Sequence, residues 1–369
     1  MTTEEKSRRP KGITLRYLEK IIQEYHNDET LKVKDFEIKP SKGLAFHYGG
    51  LANKVYVTLH RDNVVMKTSL IVKEPFHDSE DGILQLENEM ALYKKVLPIL
   101  NNKVIEVKKG EKVCPNLIAI NDTNDFIIME DSSLYRYNFS NSKWKMDLSK
   151  MKVVVKQLAY LHSSSAVYEN RNPGSLMEFH KNNHKHLDRF YEIVRKSLEK
   201  SFNNLPVINE TVSNTDHFNC LVHGSVWEPN ILFKLENSSN EDLKSVVFIN
   251  YHYGFYGSPA IDLQKFIHSV ISENSQEIEK ELVEFYYYEL NDMLQRMVYK
   301  NKIPSLEEFW SQYREYRIYG LQQILYINPF VISGKIQSLD LIKGFPSESL
   351  CDEVFKHEEV VEYLKQNLK

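Results

Sequence analysis

Two apolar segments that end in polar residues place the strongest constraint on how this chain folds. They are residues 221–233, LVHGSVWEPNILF, and residues 246–252, VVFINYH. β-Branched and aromatic residues are frequent in both, so we predict two strands that flank a turn. Each strand then carries polar side chains at one end. Such places, where a rigid element gives way to a loop, often hold binding and catalytic side chains.

Three polar residues in these segments have the spacing of a kinase catalytic centre. The catalytic loop of a kinase holds a base for the substrate hydroxyl and, five residues later, an amide that holds Mg²⁺. Asn230 stands at the amide position and Ser225 at the base position. The next strand of such a centre ends in a metal-binding aspartate. Asn250 occupies that place here.

Both candidate catalytic positions, Ser225 and Asn250, are therefore degenerate. A serine hydroxyl does not accept a proton near neutral pH as a carboxylate does. An amide oxygen is a neutral and weaker ligand for Mg²⁺ than a carboxylate. We expect any metal ion bound by Asn230 and Asn250 to be held weakly. Asn230 also has a plainer interpretation, because asparagine is common in turns.

An upstream lysine and glutamate are candidates for holding a nucleotide. Lys73 closes a predicted strand, and Glu89 follows on a predicted helix, one residue from Met90 on its buried face. We predict that Lys73 and Glu89 pair and that the lysine faces the phosphates, as in kinases. The alternatives are a solvated strand lysine and an exposed helix carboxylate.

Glu130 and a few glycines complete the set of nucleotide candidates. Glu130 follows a short buried strand, and Gly43, Gly49 and Gly50 precede the first pair of strands. These glycines could cover phosphates, but they do not match the spacing GxGxxG, and the signal is weak. The candidate cofactor-binding residues are Lys73, Glu89, Glu130 and Asn230.

The predicted elements change in character along the chain. Strands with one helix fill the first third, and the remainder is rich in helices. We predict an α+β, two-lobed, protein-kinase-like fold, with a small β-rich N-terminal lobe (1–130) and a larger, mainly helical C-terminal lobe (131–369). The predicted elements are a helix at 14–25, strands at 51–59, 63–73 and 126–129, a helix at 82–97 ended by Pro98, a helix from Ser149, and helices near 175–202, 275–300 and 306–327. Ser305 and Glu308 have the spacing of a capping box at the start of the last helix.

Composition limits the partners and the compartment. The chain has 369 residues and a net charge of −4, which provides no field for nucleic acid or for an anionic membrane surface. No apolar run reaches the roughly 18 residues that a membrane span needs, and the polar start, 1–12, does not resemble a signal peptide. Three widely spaced cysteines favour reduced thiols and a cytoplasmic location.

We interpret the helical spacing of His180, His184 and His186 as chance, since no third metal ligand is evident.

Several motifs, in this order, resemble those of one family. They are Val72-Lys73, Glu89-x-x-x-Tyr93 with Leu97-Pro98, Glu130-Asp131, Leu158-Ala159-x-Leu161-His162, the loop His223-Gly224-x-x-Trp227-x-x-Asn230, and Gly257-Ser258-Pro259-x-x-Asp262-Leu263. The chain resembles the ecdysteroid kinase-like family, also called CHK kinase-like, which is related to choline and aminoglycoside kinases. The resemblance covers about residues 43–270. It implies a site for ATP and Mg²⁺ between two lobes, a small lipophilic alcohol such as a steroid as substrate, and structural roles for His223 and Asp262.

The same comparison exposes two departures from the family pattern. The family loop usually reads HGD where this chain has His223-Gly224-Ser225, and the family metal motif usually reads DFQ where it has Asn250-Tyr251-His252. We predict a pseudokinase that binds a nucleotide, a small lipophilic ligand, or both. Two alternatives remain: an active ATP-dependent phosphotransferase that uses other groups, and a ligand-sequestering protein that does not bind ATP.

Overall fold

The computed structural model describes residues 10, 12–41, 51–62, 64–75, 80–121, 123, 126–139, 146–179, 185–202, 205–206, 216–235, 243–270, 276–336 and 346–368. The strands are β1 Lys32–Pro40, β2 Leu51–Arg61, β3 Val64–Glu74, β4 Leu117–Ile120, β5 Ile127–Glu130, β6 Tyr137–Asn138, β7 Cys220–Val222, β8 Ile231–Leu235, β9 Leu243–Phe248 and β10 Phe255–Gly257. The helices are α1 Leu15–His26, α2 Glu80–Lys95, α3 Leu97–Val107, α4 Leu148–Arg171, α5 Lys185–Ser201, α6 Ala260–Val270, α7 Gln276–Arg296, α8 Leu306–Glu315, α9 Arg317–Gln322, α10 Asn328–Ile332, α11 Glu348–Lys356 and α12 Glu358–Asn367.

An antiparallel sheet with the strand order β1-β2-β3-β5-β4 forms the N-terminal part. The amphipathic helix α1 packs on one face of it, because Leu18, Ile21 and Ile22 share a core cluster with sheet residues such as Val55 and Val72. Because side chains alternate along a strand, Ile71, Ile127 and Met129 point to the opposite face, where they pack into the helical core.

Helix α4 is the centre of the helical C-terminal part. Every residue from Gln157 to Val167 is buried, as expected of a helix inside a core. Its serines fit there because the hydroxyls of Ser163, Ser164 and Ser165 donate to carbonyls one turn earlier. A second cluster joins α5 to the C-terminal helices α10, α11 and α12.

Two small sheets contain the strands of the two segments that the sequence singles out, residues 221–233 and 246–252. β7 pairs with β10, and β8 lies between β6 and β9. The strands predicted around residues 221–233 and 246–252 are thus present, and the loops that follow them lie side by side. The α+β fold class, with a β-sheet N-terminal region and a helical C-terminal part, is confirmed.

Several predicted boundaries were wrong. The helix predicted at 82–97 ends at Lys95. Pro98 does not end this helix but lies in the first turn of the next one, α3. Proline fits there because first-turn N–H groups have no partner within the helix. The predicted helix 306–327 is divided at Tyr316, and a π-helical turn follows at Gln323–Ile327. The capping box of Ser305 and Glu308 is confirmed.

Among the described residues, no helix has both the length and the apolar character needed to cross a bilayer.

Candidate functional site

A cavity of about 500 Å³ lies between the five-stranded sheet and the β6-β8-β9 sheet. Its walls are largely apolar, with Ala52 and Ile71 on one side and Leu232 and Ile249 on the other. Lys73 and Asn250 are among its polar lining residues. This combination of apolar walls and a few polar groups is typical of a small-molecule site.

The predicted pair of Lys73 and Glu89 is present and fully enclosed. The ammonium of Lys73 lies 2.5 Å from Glu89 Oε2, and the two side chains are 2% and 1% exposed. Glu89 also accepts a hydrogen bond from the backbone N–H of Tyr251 at 3.1 Å. Helix α2 is tied further to this segment because the amide of Asn88 donates to the carbonyls of His252 and Gly254. The lysine therefore has a fixed position at the cavity.

A chain of hydrogen bonds runs from Lys73 through the three positions that the sequence singles out. Lys73 Nζ donates to Asn250 Oδ1 at 2.9 Å, and Asn250 Nδ2 donates to Asn230 Oδ1 at 2.8 Å. Asn230 Nδ2 in turn donates to the carbonyl of Ser225 at 2.8 Å and to its hydroxyl at 3.0 Å. Because an ammonium only donates, it fixes the orientation of both amides.

These amides do not fit a Mg²⁺ ion. The oxygen of Asn230 that would face a metal accepts a hydrogen bond from Asn250, whose amino group points at it. Mg²⁺ is normally held by carboxylates together with substrate phosphates. The part of the chain that the structure describes contains no cluster of three or more His, Cys, Asp or Glu that could hold a metal ion.

The loop that carries Ser225 is held in place by Asp262. This buried carboxylate accepts hydrogen bonds from the backbone N–H groups of His223 at 2.6 Å and Gly224 at 2.8 Å, and it lies 3.1 Å from His162 Nε2. Burial alone would raise the pKa of Asp262, but these hydrogen bonds and the nearby histidines hold it below its usual range. Asp262 is thus a structural anchor, as the resemblance implies.

Gly224 is required in this loop for steric reasons. Its φ of +79° lies in the left-handed region, and a Cβ at this position would come 2.3 Å from the carbonyl oxygen of Tyr253. The tight approach brings the loop against the segment that follows Asn250.

His223 is a neutral ring that braces two backbones. Its Nδ1 accepts a hydrogen bond from the N–H of Ser225 at 3.3 Å, so Nε2 carries the proton and donates to the carbonyl of Ile249 at 2.9 Å. Burial lowers the pKa of His223 to about 4. A histidine in this state joins the loop to the strand end before Asn250.

Comparison with known proteins places these features in a family. The model of the ecdysteroid kinase-like family matches residues 47–206 and 182–299. The chain belongs to the ecdysteroid kinase-like family. A search of curated proteins gives no match. Among solved structures, the chain is similar to a Plasmodium vivax ethanolamine kinase, with 12% sequence identity, a TM-score of 0.42, and coverage of 90% of this chain and 84% of that one.

Within this ecdysteroid kinase-like chain, Glu130 has a different environment from the other predicted site residues. Its carboxylate pairs with Lys112 and accepts a hydrogen bond from Asn116 at 3.0 Å. The residue lines the cavity, but its two carboxylate oxygens already accept from these two neighbours. Its predicted contact with a cofactor stays a prediction.

Some predicted residues lie outside the described part of the chain. They are Gly43, Gly49, Gly50, His180, His184 and the side chain of His186.

The sequence reasoning missed Lys54 of β2, which lines the cavity. Lys54 pairs with Asp131 at 2.6 Å, and the hydroxyl of Ser69 donates to the same carboxylate at 2.6 Å. Alternation along β2 could have indicated Lys54, because Ala52, Lys54 and Tyr56 are every second residue and all line the cavity.

Proposed function

We propose that this protein is a catalytically impaired member of the ecdysteroid kinase-like family, a pseudokinase that keeps its cleft for binding a nucleotide, a small lipophilic ligand, or both. The observation that carries the proposal is the hydrogen-bonded chain from Lys73 through Asn250 and Asn230 to Ser225. It joins neutral groups at the positions where phosphoryl transfer depends on carboxylates.

Two losses of catalytic power follow from this arrangement. Ser225 offers a hydroxyl that is hydrogen-bonded to Asn230, and the lack of a general base typically costs a factor of about 10²–10⁴ in rate. Asn250 offers Asn230 an amino group instead of offering a metal ion a carboxylate. Since phosphoryl transfer is catalysed mainly by positioning and charge neutralisation, the loss of the metal adds to the loss of the base.

Binding has better support than catalysis. The pair of Lys73 and Glu89 is intact, and apolar walls lead from it along the cavity. ATP is the proposed cofactor-like ligand, with little help from Mg²⁺, and a steroid-like alcohol is the proposed lipophilic ligand. We place the protein in the cytoplasm, which agrees with the free and buried thiols of Cys114, Cys220 and Cys351.

The proposal is tested by measuring turnover and binding on the same preparation. We expect no ATP hydrolysis and no phosphorylation of a panel of lipophilic alcohols above the level of Lys73→Met, which controls for contaminating kinases. Thermal shifts with ATP should be the same with and without Mg²⁺. Turnover at the rates typical of kinases, about 1–100 s⁻¹, would refute the pseudokinase assignment.

A further inference from the structure

Residues 250–254 lie between helix α2 and the candidate catalytic loop, and their backbone is in close contact with both. On the side of α2, a Cβ at Gly254 would come 2.6 Å from Leu92 Cδ1. On the side of the loop, a Cβ at Gly224 would come 2.3 Å from the carbonyl oxygen of Tyr253. Glycine permits such close approach because it has no Cβ. The segment 250–254 is therefore enclosed between elements from two distant parts of the chain.

Three hydrogen bonds hold α2 against this segment. The amide of Asn88 donates to the carbonyls of His252 and Gly254, in each case at 3.0 Å. The backbone N–H of Tyr251 donates to Glu89 Oε1 at 3.1 Å, inside the molecule. An outward movement of α2 would break all three. It would also leave buried polar groups without partners, which is costly.

The hydroxyl of Tyr251 anchors the segment on a further side. It donates to the carbonyl of Val113 at 3.1 Å, and the same carbonyl accepts from the backbone N–H of Phe248 at 2.9 Å. The side chain of Tyr251 is fully buried. The family motif DFQ has phenylalanine at this position, which cannot make this hydrogen bond. The anchor is thus a third departure from the family pattern, beside Ser225 and Asn250.

The contacts of α2 differ in their consequence from those of the corresponding helix in protein kinases. There, control of the helix position decides whether the lysine and the glutamate pair. Here the hydrogen bonds that fix the helix all come from the chain itself. We propose that residues 250–254 form a built-in lock that holds α2 in its inward position in the ligand-free protein, with the hydroxyl of Tyr251 and the amide of Asn88 as its anchors. The lock is independent of the proposed function, because it acts whether or not the cleft binds a nucleotide.

Hydrogen–deuterium exchange of the ligand-free protein tests the lock. Amides in a region that opens by itself exchange much faster than those of the core. We expect residues 86–95 of α2 to exchange within about 100-fold of the rate of the buried part of α4, residues 157–167. Faster exchange of α2 than this would show that the helix opens independently of the core, and the lock would be refuted.

The variant Tyr251→Phe removes the hydroxyl and keeps the ring. Exchange of α2 and of the segment 250–254 should rise about fivefold, the usual effect of one hydrogen bond, while that of α4 stays unchanged. Tyr93→Phe is the matched control. Tyr93 is also fully buried, with its ring 6.2 Å from that of Tyr251, and within the described part of the chain its hydroxyl has no hydrogen-bond partner. A rise no larger than in Tyr93→Phe, or an equal rise in α4, would overturn the proposal.

The variant Asn88→Ala tests the second anchor at a half-buried position, where the core is left intact. It removes two hydrogen bonds, so exchange of α2 should rise about fivefold or more, although alanine is the better helix former. Glu87→Ala, one residue earlier on the exposed face of the same helix, is its control. Equal exchange in the two alanine variants would show that the amide does not hold the helix. The proposal would then be wrong even if Tyr251→Phe did not fold.

Discussion

At the scale of single residues, Asn250 shows how little has to change to alter this site. Its backbone adopts the left-handed conformation, with φ 65° and ψ 56°, which both asparagine and aspartate tolerate better than most residues. Aspartate and asparagine have nearly the same shape. Relative to the aspartate that the family resemblance implies, an exchange of one oxygen for nitrogen keeps the backbone conformation and places an amino group that donates to Asn230.

The buried pair of Lys73 and Glu89 gives a prediction about stability. Lys73→Met leaves the buried carboxylate of Glu89 without its cation, and we expect the free energy of unfolding to fall by about 3–5 kcal/mol. Adding Glu89→Gln to this variant should restore a large part of the loss, because the amide oxygen can still accept from Tyr251. Denaturant titrations of the two single variants and the double variant measure the coupling. Additive losses in the double variant would contradict the prediction.

His223 gives a prediction about pH. Burial holds its pKa at about 4 in the folded protein, whereas a histidine in an unfolded chain titrates near ~6.5. Because the unfolded state binds the proton first as pH falls, the contribution of His223 is complete above pH ~6.5 and is lost as pH decreases toward the folded value. Between about pH 7 and about pH 5 this amounts to about 2 kcal/mol.

Comparison of the wild type with His223→Gln isolates this effect from that of other titrating groups. Glutamine cannot take up the proton, so the variant should lose less stability over the same pH range in chemical denaturation. Equal pH dependence of the two proteins would show that His223 does not control it.

At the scale of elements, the end of α7 contains a strained residue. Val298 follows this helix with φ +58°, a conformation that is unfavourable for a β-branched side chain. Hydrogen bonds from the N–H of Val298 to Gln295 and from that of Tyr299 to Leu294 hold it there. Glycine is the usual residue at such a helix end.

We therefore predict that Val298→Gly stabilises the protein by about 1 kcal/mol, since non-glycine residues in this conformation cost roughly 1–3 kcal/mol. The side chain is 65% exposed, so little packing is lost. A thermal or denaturant melt measures the change, with Val298→Ala as the control that relieves branching alone. A destabilised glycine variant would show that packing of the valine outweighs the strain.

Helices and strands whose apolar residues repeat at a regular spacing were predictable from the sequence. Those whose position depends on contacts with distant residues were not. The spacing of Leu18, Ile21 and Ile22 was enough for α1. β1 was not predicted from the sequence. It is an edge strand, and its many charged residues leave only Val33 buried. The break at Tyr316 was not predicted because the apolar pattern continues across it, with Tyr313, Tyr316 and Tyr319 all buried.

In the candidate site too, the residues were predictable from the sequence, whereas some contacts between them were not. Lys73, Glu89, Asn230 and Asn250 follow from spacing within local motifs, and the structure brings them together. The hydrogen bond between the two asparagines joins two separate loops, so no local pattern reports it. The partner of Lys54 depends on how β2 faces the segment after β5, which is also a contact distant in sequence.

At the scale of the whole molecule, the predicted division into lobes at 1–130 and 131–369 stays a prediction. Side chains from both sides of this division pack together. Leu86 and Tyr93 of α2 and Leu100 of α3 share a core cluster with Leu158 of α4 and Tyr286 of α7. Helix α2 thus connects the sheet's lysine to the helical core. Parts from both halves of the chain have to meet for the site to exist.

The last prediction tests this complete arrangement. We expect Ser225→Asp combined with Asn250→Asp to restore measurable turnover of ATP in the presence of Mg²⁺, while either single change does little. Aspartate at 250 removes the amino group that occupies Asn230 Oδ1, and aspartate at 225 supplies a base that can still accept from Asn230 Nδ2. Groups that act as a unit give strongly non-additive effects.

The size of the effect and its control follow from the role of the base. The double variant should exceed Asn250→Asp alone by at least about 100-fold, the lower range for general-base catalysis. Ser225→Asn combined with Asn250→Asp is the matched control, because it restores the carboxylate at 250 and places at 225 a side chain of aspartate's shape that accepts no proton. Hydrolysis of ATP and phosphorylation of lipophilic alcohols are the measurements. If the control is as active as the double aspartate variant, Ser225 does not stand at the base position. If the double aspartate variant folds and binds ATP but remains inactive, the alignment of sheet, α2 and catalytic loop has changed along with the two side chains, and ligand binding without phosphoryl transfer becomes the function that this fold retains.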